Sequence, residues 1–353
     1  MVTPSALWRR PLPYVSLLTA FVALPGCKGG GDGQDSAAPP DVVHRLDDQL
    51  TFSDVLALGT HNSYHVETSS RPEWDYTHLP LDQQLGEQGV RQFELDLNWD
   101  SGDDVWRVYH VPLIDQGTTC DLFSECVAVM AEWSAANPGH HPILTLLELK
   151  DLAPTDDPEE AALMLAAAEE AVRAAWGDRV ITPDEVMGAA GSLNEAVATA
   201  GWPTLGRLRG RSAWVLHAGG DWNDLYTEAG ATTAGRLFFP DGQGELESPT
   251  AAVHVMNDAF DPNIAVAVAR GALVRTRTDG DGDEARANDY TKANAALASG
   301  ANFVSTDFPA PHYETGYVVA IPEGTPSACN PVHAPEGCLS TDIEDPALLQ
   351  GRQ

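Results

Sequence analysis

A buried strand that leads directly into a cluster of polar side chains constrains the fold more than any other feature of this sequence. Residues 52–57 are mostly apolar, and residues 58–65 follow with the sequence LGTHNSYH. A parallel α/β barrel has this pattern, because its strands end at one face and the following loops carry the reactive groups. We therefore predict that the adjacent side chains of His61 and Asn62 lie at that face, where later strands bring their partners.

Seven further segments have the apolar or alternating pattern of strands, and helical patterns separate most of them. They are residues 90–99, 105–110, 142–151, 212–217, 252–258, 272–279 and 301–307. Eight strands that alternate with helices predict an α/β fold with a single (β/α)8 TIM-type barrel. The pattern also allows irregular structure in the middle part of this barrel. Such a barrel needs about 250 residues, so we assign residues 46–321 to the barrel and residues 322–353 to a C-terminal tail.

Several of these predicted strands end in ionisable side chains. Glu94 and Asp96 share one face of the second strand, Glu148 and Lys150 share one face of the fourth, and His110 ends the third. Two carboxylates that converge inside a barrel are unfavourable unless a cation or a proton accompanies them. We therefore interpret these strand ends as a functional site; the alternative is an edge strand whose polar face lies in water.

The residue types at the strand ends indicate a class of chemistry. Oxygen ligands for a hard cation, Ca²⁺ rather than Mg²⁺, are available from Asn62, Glu94, Asp96 and Glu148. His61 and His110 can donate and accept protons near neutral pH. A dication beside two histidines suits phosphodiester cleavage, because the metal neutralises the developing charge while a histidine protonates the leaving oxygen.

The ordered set of strand-end residues resembles the Ca²⁺-dependent phosphatidylinositol-specific phospholipase C family, within the wider group of barrel-shaped phosphodiesterases. Four segments are similar to its bacterial secreted branch: GTHNSYH at residues 59–65, VYH at 108–110, VRTR at 274–277 and STDFP at 305–309. The resemblance extends from about residue 46 to residue 309. Each motif is short, and it is their order along the chain that makes the resemblance specific.

The resemblance implies a role for each site residue. Ca²⁺ would be held by Asn62, Glu94, Asp96 and Glu148. His110 would act as the general acid and His61 would stabilise the phosphate, while either Glu94 or Glu148 would serve as the base. Phosphate or headgroup contacts would come from Lys150, Arg275 and Arg277. For these three cations, structural pairing with carboxylates inside an acidic barrel is the alternative.

The family's reaction would cleave phosphatidylinositol, or a related glycerophospholipid, to diacylglycerol and a cyclic or open inositol phosphate. A glycerophosphodiester phosphodiesterase is one alternative, but in that family arginine follows the first histidine, whereas Asn62 stands here. A hydrolase similar to sphingomyelinase D is another. A catalytically inactive lipid-binding barrel would be the non-enzymatic alternative, and retention of both histidines and all four oxygen ligands argues against it.

The charge balance excludes some partners. The formal net charge is -32, with a pI near 4.4, so the chain lacks the basic surface that nucleic acid binding requires. Lysine occurs only at Lys28, Lys150 and Lys292, which argues against polyphosphorylated headgroups, because these need clustered cations. We expect a monomer that acts on a phospholipid or a glycerophosphodiester.

The N-terminus has the pattern of an export signal. Arg9 and Arg10 precede an apolar segment that ends in Leu24-Pro25-Gly26-Cys27, and this end resembles a bacterial lipobox. We therefore predict a signal peptide over residues 1–27, lipidation of Cys27 and a flexible linker over residues 28–45. The protein would be exported, as a lipoprotein anchored to the membrane surface or in a secreted form.

Four cysteines remain after Cys27, and an even number in an exported chain indicates disulfides. We predict the two local pairs, Cys120 with Cys126 and Cys329 with Cys338, because each closes a short loop. The second pair would staple the C-terminal tail. A metal site is the alternative, although neither pair has the CxxC spacing. His140 and His141 lie in a predicted loop, where we expect an exposed pair.

Overall fold

The computed structural model describes residues 44–68, 71–322 and 326–345. The predicted signal peptide with Cys27 and most of the predicted linker lie outside these ranges, so both stay predictions. Within the described ranges, no helix combines the length and the apolar character needed to cross a bilayer.

Eleven strands form one sheet. They are β1 (Val55–Thr60), β2 (Gln92–Asp100), β3 (Val105–Val108), β4 (Ile143–Leu149), β5 (Val180–Ile181), β6 (Ser212–His217), β7 (Phe239–Pro240), β8 (Val253–Val255), β9 (Leu273–Arg277), β10 (Phe303–Thr306) and β11 (Ser327–Cys329). The parallel neighbours follow in the order β8, β9, β10, β1, β2, β4 and β6, and β7 pairs with the far edge of β6.

The parallel sheet curls as in a TIM-type barrel, which confirms the predicted fold class. Its closure is weak at one seam, where only a single parallel bridge, between Asp241 and Val253, joins the end of β7 to β8. The irregularity expected in the middle of the barrel is therefore located at β7, which has two residues.

The barrel strands differ from the prediction in two places. The predicted third strand, residues 105–110, is not a barrel strand: its residues Val105–Val108 form β3, which pairs antiparallel with the end of β2 as a hairpin. The strand that takes its place in the barrel is β7, which the sequence pattern did not reveal because two residues show no periodicity. His110 still reaches the site, since the hairpin extends from the C-terminal end of β2.

Two long helices cover one side of the sheet, and the other helices are short. The helices are α1 (Leu81–Gln83), which continues as a π-helical turn over Gln84–Gln88, α2 (Phe123–Ala136), α3 (Pro158–Trp176), α4 (Pro183–Met187), α5 (Leu193–Thr199), α6 (Leu205–Leu208), α7 (Asp221–Thr227), α8 (Asn263–Ala269), α9 (Asp283–Ala287), α10 (Thr291–Ala298) and α11 (Ser340–Ile343). The start of α3 is well defined, because the Asp157 carboxylate accepts a hydrogen bond from the backbone N–H of Glu160.

The alternation of side chains along β4 explains why the sheet is buried on both faces. Leu144 and Leu146 pack in one hydrophobic cluster with residues of other strands, such as Phe303. Ile143 and Leu147 point to the opposite face and pack in a second cluster that includes residues of α2 and α3. Burial of each leucine contributes about 1.5–3 kcal/mol, so an almost continuously apolar strand is stable only between two layers.

The C-terminal tail is tied to the barrel by covalent and ionic contacts. Both predicted disulfides are confirmed, Cys120–Cys126 and Cys329–Cys338. β11 pairs antiparallel with β1, and the carboxylate of Glu344 forms a fully buried ion pair with Arg91. The tail thus contributes a strand and a salt bridge in addition to the predicted stapled loop.

The prediction of an exposed histidine pair is wrong. His140 and His141 are both fully buried. The tail causes this, because Glu344 accepts a hydrogen bond from the backbone N–H of His141 and its carboxylate lies 3.8 Å from the His141 ring. Burial lowers the pKa of His140 to about 4 and that of His141 to about 3.

Candidate active site

The C-terminal ends of the parallel strands bring the predicted site residues together. In the sheet register, Asp96 of β2 lies beside Glu148 of β4, and Glu148 lies beside His217 of β6. Parallel strands end at one face, so residues that are far apart in the sequence share this edge. The loop after β1 adds His61 and Asn62 to the same edge.

Asn62 occupies an unusual backbone conformation and has an unsatisfied side chain. Its φ angle is 44°, in the left-handed region that asparagine tolerates better than most residues. The side chain is buried, and its Nδ2 lies 3.3 Å from the Tyr76 hydroxyl oxygen. Its Oδ1 is also buried but has no hydrogen-bond partner. This oxygen can bind a cation or accept a hydrogen bond from a ligand.

Three carboxylates face two cations at the ends of β2 and β4. The Glu94 carboxylate is hydrogen-bonded to Arg275, and Lys150 Nζ lies 3.0 Å from both Asp96 Oδ2 and Glu148 Oε1. The carboxylates therefore outnumber the cations in contact with them. With all three ionised, one negative charge would remain uncompensated, so either a proton or a divalent cation is needed there.

The pKa values of these groups reflect their burial and their partners. Burial, and next the neighbouring Glu148, raise the pKa of Asp96 to about 8. Burial alone would raise the pKa of Glu94, but Arg275, His61 and His217 together outweigh it, and the pKa lies below its usual value. For Lys150, burial disfavours the charged form, yet Asp96 and Glu148 reverse this effect and raise its pKa.

His61 is held by a carboxylate that the sequence analysis did not assign to the site. Its Nδ1 lies 2.8 Å from Asp307 Oδ1, and the other carboxylate oxygen of Asp307 accepts a hydrogen bond from Arg277 at 2.8 Å. Burial, followed by the charge of Arg277, holds the pKa of His61 well below its usual value. The ring is therefore neutral near pH 7, and its Nε2 is the nitrogen left available.

His110 is held in the same way by Asp115. Its Nδ1 lies 2.9 Å from Asp115 Oδ2, and the same oxygen lies 2.9 Å from Nε2 of His65. The side chains of His65 and Asp115 are fully buried, while His110 is partly exposed to the site. Burial lowers the pKa of His110, and the hydrogen bond to Asp115 opposes that effect.

A third histidine–carboxylate pair lies at the end of β6. His217 Nδ1 is 2.8 Å from Asp241 Oδ2. Burial alone would lower the pKa of His217, but the hydrogen bond that it donates to Asp241 and the negative charges of Asp241, Glu94 and Glu148 together raise it above its usual value. Glu94, Glu148 and His217 each offer a potential ligand atom, and these atoms all lie within 4.8 Å of one another. The sequence signal for His217 was its place at the end of a predicted strand, as for His110, but we did not assign it to the site.

The predicted substrate-binding cations are all paired with carboxylates. Lys150 contacts Asp96 and Glu148, Arg275 contacts Glu94, and Arg277 contacts Asp307. Arg275 and Arg277 nevertheless keep one buried donor each, because their Nε groups have no hydrogen-bond partner. Their proposed contacts with substrate stay predictions.

The donor set near β1, β2 and β4 fits a hard cation. It combines one orphaned amide oxygen, from Asn62, with the carboxylates of Asp96 and Glu148. Ca²⁺ takes neutral and anionic oxygens in this mixture and tolerates irregular geometry better than Mg²⁺. The residues predicted as calcium ligands are therefore chemically suited to that ion.

Comparison with known proteins gives one family match and several structural neighbours. A family model described as phosphoinositide phospholipase C, Ca²⁺-dependent, matches residues 102–331. These residues include His110 and Glu148, and they are more than half of the chain. No curated protein matches the sequence.

The structural neighbours have the same fold at low sequence identity. A calcium-dependent phosphoinositol-specific phospholipase C from Pseudomonas sp. has 20% identity and a TM-score of 0.58, and the match covers 81% of this chain and 98% of that chain. The Ca²⁺-dependent phosphatidylinositol-specific phospholipase C from Streptomyces antibioticus has 21% identity and a TM-score of 0.54, with 74% and 95% covered. Taken with the family match, the chain is a phosphodiester-cleaving enzyme that belongs to the Ca²⁺-dependent phosphoinositide phospholipase C family.

Proposed function

We propose that this enzyme cleaves phosphatidylinositol, or a related glycerophospholipid, between glycerol and phosphate, with Ca²⁺ as its cofactor. The products would be diacylglycerol and a cyclic or open inositol phosphate. The observation that carries the proposal is the arrangement of two histidines, His61 and His110, each fixed through Nδ1 by a buried carboxylate beside a cluster of oxygen donors. Two oriented imidazoles are what an in-line displacement needs for its base and its acid.

Ca²⁺ would be held by Asn62, Glu94, Asp96 and Glu148, as the family resemblance implies. The orphaned Oδ1 of Asn62 supports this set. When bound, the ion would supply positive charge next to the phosphate and lower the pKa of the attacking hydroxyl. Mg²⁺ is the less suitable alternative, because it demands regular octahedral geometry and usually keeps several waters.

We assign the base to His61. Its Nδ1–H donates to Asp307, so Nε2 carries the lone pair that can take a proton from the inositol 2-hydroxyl. The hydroxyl oxygen would then form a bond to phosphorus. Glu94, one of the two bases suggested by the family resemblance, is a weaker candidate, since its carboxylate is buried and paired with Arg275. Glu148 remains the second candidate.

His110 would be the general acid, as the resemblance implies. It would donate its Nε2 proton to the glycerol oxygen as the phosphorus–oxygen bond breaks, which releases diacylglycerol. The bound phosphodiester supplies a negative charge that favours the protonated ring. The hydrogen bond to Asp115 has the same effect and fixes the ring orientation.

Arg275 and Arg277 would contact the phosphate or the headgroup. Their unpartnered Nε groups are buried donors that an anionic oxygen would satisfy. Lys150 would contribute charge near the same position, because it is partly exposed beside Asp96.

Several exposed apolar side chains lie on loops that follow strands of the sheet, and they suit a substrate embedded in a lipid surface. They lie on loops that follow β3, β4, β8 and β10, and they are Leu113, Ile114, Leu152, Phe260 and Tyr313. Export, and anchoring through a lipidated Cys27, would place the enzyme at a membrane surface. A phospholipid is therefore our proposed partner.

Phosphorus NMR of the purified protein tests the proposal directly. With phosphatidylinositol and Ca²⁺ we expect a cyclic inositol phosphate signal that disappears with a chelator. His110→Ala should abolish it, whereas His140→Gln, a matched change of a buried histidine outside the site, should leave it in place. Hydrolysis of glycerophosphoinositol or glycerophosphocholine without turnover of phosphatidylinositol would favour a glycerophosphodiesterase. Absence of turnover with every phosphodiester would refute the proposal.

A further inference from the structure

We propose that the end of β6 adds a nitrogen ligand to the site, so that Glu94, Glu148 and His217 bind a borderline cation such as Zn²⁺. This set shares two carboxylates with the proposed Ca²⁺ ligands and replaces Asn62 and Asp96 by an imidazole. Zn²⁺ would therefore compete with Ca²⁺. The expected competition rests on the proposed Ca²⁺ ligands. Zn²⁺ binding itself does not depend on the identity of the substrate.

The sheet register places the three donors together. His217 of β6 is the neighbour of Glu148 of β4, and Glu94 lies two residues before the β2 neighbour of Glu148. Their ligand atoms lie within 4.8 Å of one another. Ligands that share one zinc at about 2.0–2.2 Å lie roughly 3–4 Å apart. A shift of about 1 Å would thus close the site, and the Glu148 side chain, 32% exposed, has room to move.

His217 is oriented as a metal ligand. Its Nδ1 donates to Asp241 Oδ2 at 2.8 Å. The other oxygen, Asp241 Oδ1, accepts hydrogen bonds from the backbone N–H groups of Gln243 at 2.8 Å and Val255 at 2.9 Å. The carboxylate is fully buried and fixed on both sides. A metal-binding histidine usually donates its second N–H to a carboxylate in this manner, which leaves Nε2 as the nitrogen available to a metal ion.

The two carboxylates each keep an oxygen available. Arg275 binds Glu94 through Oε2, and Lys150 binds Glu148 through Oε1. Among the described residues none donates a hydrogen bond to Glu94 Oε1 or Glu148 Oε2. One oxygen from each side chain can therefore bind a cation while the other keeps its existing partner.

The donor types decide which cation is preferred. Ca²⁺ takes oxygen ligands, whereas imidazole suits Zn²⁺ and related transition metals. Two carboxylate oxygens and one imidazole leave a fourth position open, which is the arrangement of many catalytic zinc sites. An ion pair of protonated His217 with Glu94 and Glu148 is the competing explanation of the same geometry.

Metal titration of the chelator-treated full-length protein separates these explanations. We expect one Zn²⁺ to bind in calorimetry, and Co²⁺ to give a visible absorption spectrum of low coordination number. His217→Gln should weaken Zn²⁺ binding by at least tenfold and leave Ca²⁺ affinity within about threefold. Asp241→Asn should weaken Zn²⁺ by about 10- to 100-fold, and Glu148→Gln should weaken both ions.

Two control variants test whether the effect is specific to His217. His254→Gln changes another buried histidine close to Asp241 and should leave both affinities unchanged. If His217→Gln does not fold, as judged by circular dichroism, His217→Asn gives the same comparison. Equal Zn²⁺ affinity in wild type and the His217 variants, or no Zn²⁺ binding to wild type, would overturn the inference. Calcium-dependent turnover is measured separately, so its absence would count against the proposed function and leave the zinc result standing.

Discussion

The substitution Asp115→Asn tests how the acid is positioned. Asp115 is fully buried, and one of its oxygens lies 2.9 Å from both His110 Nδ1 and His65 Nε2. A hydrogen bond to a charged group is worth about 1.5–3 kcal/mol, and 1.36 kcal/mol corresponds to a tenfold change in rate. We therefore expect kcat to fall by about 10- to 150-fold. KM should change little, because Asp115 lies behind His110 and does not face the substrate.

The pH dependence gives a second readout that a purely structural effect would not move. Asp115 raises the pKa of His110, so its removal should lower that pKa further. A general acid must be protonated, and the rate falls as the pH rises through its pKa. The alkaline limb of kcat/KM against pH should therefore move to lower pH in Asp115→Asn.

The control is Thr68→Val, which removes a hydrogen bond to the other oxygen, Asp115 Oδ1, at 3.1 Å. Activity would be followed by phosphorus NMR with phosphatidylinositol, and folding by thermal denaturation. A kcat within threefold of wild type in Asp115→Asn, or an equal loss in Thr68→Val, would refute the positioning role. His65→Gln is the second variant, with a smaller fall in kcat expected.

Three further predictions concern the stability of the barrel and the exposed apolar side chains on its loops. Glu344→Gln should lower the free energy of unfolding in calorimetry by about 3–5 kcal/mol, because it leaves Arg91 buried without its counter-charge; a loss below 1 kcal/mol would contradict this. The folded-state pKa of His140 is depressed to about 4, so the unfolded chain takes up this proton first, and the contribution of His140 to stability falls as the pH drops below about 6.5, by about 2 kcal/mol at pH 5. Wild type should therefore lose about 2 kcal/mol more stability than His140→Gln between pH 7 and pH 5; the same pH dependence of thermal unfolding in both proteins would refute it. Leu113→Asn and Leu152→Ser should each weaken sedimentation of the protein with phosphatidylcholine vesicles, whereas Leu163→Ser on α3 should not. Asparagine is chosen at position 113 because the backbone there is left-handed, with φ 65°. Equal binding by all variants would exclude the loops that carry Leu113 and Leu152 as a lipid contact.

Much of the barrel could be predicted because each long strand carries its own signal. The apolar run of β4 and the alternation in β2 are local patterns, and they predicted both strands and the face on which Glu94 and Asp96 lie. The predictions failed where a strand is very short or where its role depends on the strand with which it pairs. β7 has only two residues, and the hairpin strand β3 has the same composition as a barrel strand, so only its antiparallel partner distinguishes it.

The histidine partners were missed for a different reason. The chain contains 52 acidic residues, so nothing local singles out Asp115, Asp241 or Asp307 as the three that fix a histidine. His140 and His141 show the same limitation, since their burial depends on Glu344, about 200 positions further along the chain.

The sequence alone thus determined most of the strand pattern, the disulfide pairs and many of the reactive residues at the strand ends, because periodicity, short loops and residue chemistry are local properties. Tertiary structure decided which carboxylate orients which histidine, that His217 joins Glu94 and Glu148, and that cations already occupy one oxygen of these carboxylates. These features arise only when strands distant in sequence end side by side, where burial strengthens every charge interaction and makes the choice of partner decisive.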